Sequence, residues 1–413
     1  MIKKLLFPLL TVLIIIISTF LILEIFFKAQ NYFIIKKGGN LKNYMITPRI
    51  YNQDYGWELK KNFEYTYLTA DSDIIKKKTN NLGLASEFNL DILNDKFKIL
   101  VIGDSFTESL GVNTPNSWPN QLQKKLKENL YNNVEIYNGA IAGYNLDQYY
   151  FRIKDLFQKI KPDMIIIGFA TATDFYDVGK FNKYFVYGDN IGRNYFEVIN
   201  GELNINTNLN SIENFATKYQ LIENFKKNNP QDKEIELLQS IKELLHTSSV
   251  YERIKKSTLI VKIAMSLRNN ERSLWPSTEI GIAKENTPLE KKKINLIKKI
   301  FEKISYEFGA KTDLFLIHIP YKVEVDKKFW SKTFGKHPEK FDQSGPEKKL
   351  ISLITNKQIK FIPSVAKFRD KFNNEKKELY LKNDGHLNKF GNELVSEIVL
   401  ENIEKYLQIK VVN

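Results

Sequence analysis

The sequence predicts an α/β fold built on a central parallel sheet. Three observations carry that prediction. Short, almost wholly apolar runs end abruptly at Gly, Asn or Pro, as strands buried on both faces do. Stretches with helical periodicity lie between them. One much longer apolar run stands outside this alternation, at the N-terminus.

Met1 to Lys4 carry two lysines, and Leu5 to Phe27 follow as a nearly unbroken apolar run. As a helix that run spans about 34 Å, enough to cross a bilayer. A cleaved signal peptide is the alternative, but it has a shorter apolar core and a small-x-small site, and no such site follows. Residues 1–27 are therefore expected to be an uncleaved membrane anchor. A short basic N-terminus ahead of a long apolar run favours an inside N-terminus, with the rest of the chain outside the cytoplasm. Lys28, Lys36 and Lys37 beyond the run keep the charge count from deciding the topology.

Residues 28–95 form a polar, aromatic lead-in, expected to pack on the main domain as short strands and turns. The main domain is placed at 96–408. Its first strand is Phe97 to Ile102, stopped at Gly103. A helix follows over Ser117 to Leu130, then a strand over Val134 to Tyr137. Asn145 to Ile160 is a helix with Leu146, Tyr149, Tyr150, Ile153, Leu156, Phe157 and Ile160 on one face. Met164 to Phe169 and Leu314 to Ile319 are buried strands, and Ile359 to Ile362 is a candidate fifth. Pro288 to Phe308 and Asn392 to Tyr406 are helices. The alternation breaks at about 178–285, which reads as an insertion or cap within one domain.

Composition narrows the function. The chain has 413 residues and a formal charge of +14, yet only seven of its 62 basic residues are Arg. Nucleic-acid readers favour Arg forks, whereas here Lys and Glu alternate along helices such as Lys291 to Lys303. The charge suits an anionic lipid or envelope polymer better than nucleic acid. There is no cysteine, which excludes disulfides, thiolate metal sites, a thiol nucleophile and a lipidated cysteine. No Gly-x-Ser-x-Gly elbow, phosphate-binding loop, dinucleotide fingerprint or His-Glu-x-x-His motif is present, so neither a cofactor nor a metal is implied.

The informative place is the end of the first strand, Gly103-Asp104-Ser105-Phe106. In an open parallel sheet, ligands bind beyond the carboxyl ends of the strands. Ser105 would be presented there, although the tripeptide alone better describes a turn that caps the next helix. Two further strand ends carry Asn138-Gly139-Ala140-Ile141-Ala142-Gly143-Tyr144 and Thr171-Ala172-Thr173-Asp174. Near the C-terminus stands Asn383-Asp384-Gly385-His386, before the last helix. A nucleophilic serine needs a base and a carboxylate to orient that base. Of four histidines, His246 and His337 lie in charged surroundings, and His318 sits inside an apolar strand as a core histidine would. Only His386 has a carboxylate two residues away and a helix after it.

Together these segments resemble the SGNH family, also called GDSL esterases and lipases. The lead-in, with Gly56-Trp57 and Asn80-Asn81-Leu82-Gly83-Leu84, is similar to that of a bacterial subgroup anchored by one N-terminal span. The resemblance covers roughly 50–180 and 310–405. It implies a three-layer, flavodoxin-like fold, with Ser105 as nucleophile and Asp384 and His386 as the acid–base pair. It also implies that the backbone N–H groups of Ser105 and Gly143 form the oxyanion hole. Two departures stand out. The family's third block usually supplies an Asn donor to the oxyanion, and Thr173 stands in its place here. A Thr hydroxyl can donate one hydrogen bond, but the plainer reading is that Thr173 packs at a strand end. The Asp-x-His spacing is shorter than the common Asp-x-x-His and is similar to that of SGNH-like acetyltransferases of envelope polysaccharides.

The implied activity is hydrolysis of O-acyl esters, acetyl foremost, on an envelope carbohydrate. Two alternatives stay open. One is an O-acetyltransferase acting on an extracytoplasmic glycan with a multi-span acyl-donor partner. The other is a degraded SGNH scaffold or binding subunit.

Overall fold

The computed structural model describes residues 49–179, 193–207 and 280–411, apart from residues 53, 70, 72, 356, 383 and 384, together with residues 11, 15 and 17–26. The chain divides into two compact units, 1–41 with 218–274, and 42–217 with 275–413. In the first unit, residues 17–26 are helical, and apolar side chains such as Ile22 and Ile25 are exposed. No helix among the described residues is long and apolar enough to cross a membrane. The remainder of the expected anchor at 1–27 lies outside the described residues, as does most of the expected insertion at 178–285.

The second unit is organised by five strands: β5 (Phe97–Gly103), β6 (Val134–Asn138), β7 (Met164–Ala170), β10 (Asp313–Ile319) and β11 (Ile359–Ile362). They lie side by side in the order β11-β10-β7-β5-β6. Every pairing is parallel. Counted along the chain, this is the 2-1-3-4-5 order of flavodoxin-like sheets. Each expected strand is present, and β11 has the bounds read from the sequence.

Alternate residues of the strands feed two separate cores, as the pleat requires. Leu100, Ile102, Ile165, Ile167, Leu314 and Leu316 face one side and pack with α3 (Leu146–Ile160) and α4 (Pro288–Phe308). Ile99, Val101, Ile166 and Ile317 face the other side and pack with α2 (Trp118–Glu128) and α5 (Lys389–Val411). Three layers result. Because both faces are covered, the strand sequences read as continuous apolar runs rather than alternating ones.

Helix starts follow local chemistry. The Asn145 side chain accepts from the Gln148 N–H and caps α3. Thr287 and Glu290 form a capping box around Pro288 at the start of α4. Two lead-in hairpins join the same unit. β1 (Arg49–Asn52) pairs antiparallel with β2 (Gly56–Leu59), and β3 (Glu64–Leu68) with β4 (Ile74–Lys78). Tyr55, Trp57 and Leu59 enter the core on the α3 side. Within the expected insertion, β8 (Asn194–Ile199) and β9 (Glu202–Thr207) form a hairpin. Asp147 ties it to α3 by accepting from the Phe196 N–H at 2.8 Å.

The sheet order puts β5 next to β7 while β6 lies on the other side of β5. This is the topological switch point, where an open α/β sheet leaves a crevice at its carboxyl edge. The loops after β5, β6 and β7 therefore converge there.

Candidate active site

After β5 the chain turns into the short helix α1 (Ser105–Glu108). Asp104 caps it, its Oδ1 accepting from the Phe106 N–H at 2.8 Å. The turn is possible because Gly103 and Gly168 face each other across β5 and β7. A Cβ on either one would overlap the Thr107 side chain. Ser105 is left half-buried at the rim, while Asp104, Phe106, Thr107 and Glu108 are buried around it.

The loop before α5 brings His386 to the same rim. His386 Nε2 lies 2.8 Å from Ser105 Oγ. The loop is fixed through its backbone: the Leu381 N–H donates to the His386 carbonyl at 2.8 Å and the Gly385 N–H to the Leu381 carbonyl at 3.3 Å. Gly385 is left-handed, with φ of 83°. The imidazole also packs on Phe106, ring centroids 4.7 Å apart. With the proton on Nδ1, Nε2 is an acceptor for the Ser105 hydroxyl. Asp384, expected to orient this ring, lies outside the described residues.

Gly143 follows β6 in a left-handed conformation, φ 84°. Among the described residues, neither its N–H nor that of Ser105 donates to a protein acceptor. The N–H of the preceding Ala142 donates to Glu108 Oε2 at 2.6 Å. Glu108 Oε1 in turn accepts from the Tyr65 hydroxyl at 2.9 Å. Lys77 Nζ donates to the carbonyls of Glu108 and Ser109 at 2.8 and 2.6 Å. Burial lowers Lys77 to about 8, partly offset by the Glu108 carboxylate.

The hydroxyl of Thr173, the candidate third oxyanion donor, donates to Asp104 Oδ2 at 2.7 Å, and a hydroxyl has only one proton to give. Below it, Asp174 Oδ2 accepts from the Ala170 N–H at 2.8 Å, and the Tyr149 hydroxyl meets both Asp174 oxygens at 2.9 and 3.1 Å. Burial, and then the nearby charge of Asp104, push the Asp174 carboxyl well above the usual carboxylate range. Asp104 and Asp174 thus hold the loops that shape the rim.

Ser105 and His386 therefore touch, and Gly143 is tied through Ala142 to the helix that begins with Ser105. Sequence reasoning passed over Glu108, Lys77, Gly168 and Arg49. Gly168 carried a readable signal, since it interrupts the apolar run of β7. The others act on backbone atoms far away in sequence.

No protein-family model matches the chain, and no curated protein sequence matches it. Among solved structures it is similar to an acetyl xylan esterase, at 12% identity over 74% of this chain and 99% of that one, with a TM-score of 0.36. It is similar to a psychrotrophic esterase from Pseudoalteromonas sp., at 13% identity over 76% and 99% of the two chains and a TM-score of 0.34. It is also similar to a family 3 carbohydrate esterase from Clostridium thermocellum, at 10% identity over 76% and 98% and a TM-score of 0.34.

Proposed function

We propose that the chain is a serine ester hydrolase of the SGNH type, with Ser105 as nucleophile and His386 as its base. The observation that carries this reading is the 2.8 Å contact between His386 Nε2 and Ser105 Oγ at the switch-point rim. Ser105 Oγ attacks the ester carbonyl carbon while its proton passes to His386 Nε2. Asp384 stabilises the imidazolium that forms. The carbonyl oxygen becomes an oxyanion and accepts from the N–H groups of Ser105 and Gly143. Collapse breaks the bond to the alcohol, which leaves with the proton from His386. Water then attacks the acyl-serine carbonyl, and His386 again takes and returns a proton. Free Ser105 and a carboxylic acid result.

The substrate class we favour is a short acyl ester, acetyl foremost, on an envelope carbohydrate. The chain would reach it outside the cytoplasm, held at the membrane by residues 1–27. The excess of positive charge, +14, supports an anionic lipid surface or polymer nearby.

A fluorophosphonate probe on the full-length, detergent-solubilised chain tests the reading. Wild type should be labelled and should release acetate from a simple acetyl ester, and Ser105→Ala should do neither. A folded wild type that resists the probe, or labelling that persists in Ser105→Ala, would overturn it. Acylated sugar instead of free acetate among the products would move the assignment from hydrolysis to transfer.

A further inference from the structure

The carbonyl of Ala142 and the N–H of Gly143 belong to one peptide unit. That unit is planar and trans, so the two groups point in opposite directions. Arg49, at the start of β1, donates from Nη2 to the Ala142 carbonyl at 2.8 Å across 93 positions of sequence. Its guanidinium lies 5.3 Å from the Trp57 ring centroid. Trp57 is itself tied to the residue after Gly143, its carbonyl accepting from the Tyr144 hydroxyl and its ring packing on Tyr144 at 5.4 Å. The neighbouring peptide unit is held from the other side, the Ala142 N–H donating to Glu108.

We infer that Arg49 is a positioning residue for the oxyanion hole. By holding the Ala142 carbonyl, it aims the Gly143 N–H at the reacting carbonyl. Glycine at φ 84° has little intrinsic preference against the flipped peptide, and a flip would present a carbonyl oxygen where a donor is needed. A charge-assisted bond to the carbonyl opposes that flip. It also polarises the peptide, which strengthens the N–H as a donor. The lead-in is then part of the working site. Asp71, in the turn between β3 and β4, reinforces this by accepting from the Lys382 N–H at 2.6 Å, on the loop that carries His386. The inference rests on the proposed serine-hydrolase reading.

The test uses the full-length chain with p-nitrophenyl acetate as substrate and phenylboronic acid as a tetrahedral mimic. Arg49→Met should lower kcat by about 10- to 100-fold, since a misaimed donor costs up to what a lost one does. KM should stay within about twofold, because the donor matters most in the transition state. Boronate inhibition should weaken by a factor similar to that in kcat. Arg49→Lys, which keeps a cationic donor, should recover part of both. A kcat for Arg49→Met within about twofold of wild type overturns the positioning role. So does a loss of activity that tracks loss of folded protein, with unchanged boronate affinity in the fraction that still labels. If Ser105→Ala hydrolyses the ester as fast as wild type, the hydrolase reading itself falls, and the role of Arg49 falls with it.

Discussion

His386 Nε2 and Ser105 Oγ meet at 2.8 Å although they lie 281 positions apart in the chain. The contact joins the first strand of the sheet to the last helix. Both sides are prepared by local chemistry. Asp104 caps the helix that begins with Ser105, and backbone hydrogen bonds from Leu381 and Gly385 shape the loop that carries His386. The backbone at both positions is thus shaped mainly by groups other than these two side chains.

That separation of support from chemistry gives the first prediction. His386→Gln should fold, because its loop is fixed through main-chain atoms. The lost ring contact with Phe106 should cost about 0.5–1.5 kcal/mol. Turnover should fall by about 10³-fold or more, as removal of a catalytic base does. Thermal unfolding and ester turnover on the same sample check both halves. A variant with near wild-type turnover would remove His386 from the chemistry.

Thr173 yields the second. Its hydroxyl donates to Asp104 at 2.7 Å, and Asp104 caps the Ser105 helix. Thr173→Val should therefore lower stability by about 1.5–3 kcal/mol, the range for a lost bond to a charged group. Turnover should drop by less than the roughly 10²- to 10³-fold expected for an oxyanion donor. Thr173→Asn should not raise activity. A large loss of turnover with unchanged stability would return Thr173 to the oxyanion hole.

How much of this was legible in the sequence differs from residue to residue. The five strands were readable because both faces are buried, so burial writes itself as runs such as Met164 to Phe169. Ser105 and His386 were readable because their neighbours, Gly103, Asp104 and Gly385, mark sharp turns at element ends. Arg49 and Glu108 were not. Each acts on a backbone atom of Ala142, and no periodicity tells which main-chain group a long side chain reaches. The partner of the Thr173 hydroxyl was hidden for the same reason, since Asp104 is 69 positions away.

The third prediction concerns pH and a buried cluster beside the site. His318 Nε2 lies 3.1 Å from Glu324, and its Nδ1 lies 3.7 Å from Glu347. Burial opposes a charged imidazole, but the two carboxylates outweigh it and raise His318 to about 9. A group raised on folding stabilises fully below its unfolded value, about 6.5, and loses that contribution as pH climbs through its folded value. Lys77, Lys293 and Lys349 are lowered to about 8, chiefly by burial. Their opposing gain sets in gradually as pH approaches that value, where each is half titrated. Between about pH 6.5 and 7.5 the unfolding free energy should therefore fall, by an amount on the order of 1 kcal/mol or less. Urea midpoints across that window check it, and a flat profile would show that the charge is not held.

The last prediction separates the two glycines under Ser105. A Cβ on Gly168 would overlap Thr107 Oγ1, while its next neighbours, Ile319 Cδ1 at 3.2 Å and Thr107 Cβ at 3.4 Å, leave nearly enough room. A Cβ on Gly103 would also meet Thr107 Cβ at 2.5 Å and the Gly168 carbonyl at 3.0 Å. Gly168→Ala alone should destabilise by about 1–3 kcal/mol through overpacking and should slow turnover by displacing the helix that carries Ser105. Adding Thr107→Ala removes the clashing oxygen. That oxygen is buried with no hydrogen-bond partner among the described residues, so its loss should carry little penalty of its own. Stability and turnover should then recover in Gly168→Ala/Thr107→Ala. They should not recover in Gly103→Ala/Thr107→Ala, because the Cβ–Cβ overlap stays. Melting temperatures and kcat of the two double variants decide the matter. Equal recovery in both would mean that α1 can shift away from the sheet without disturbing the contact between Ser105 and His386.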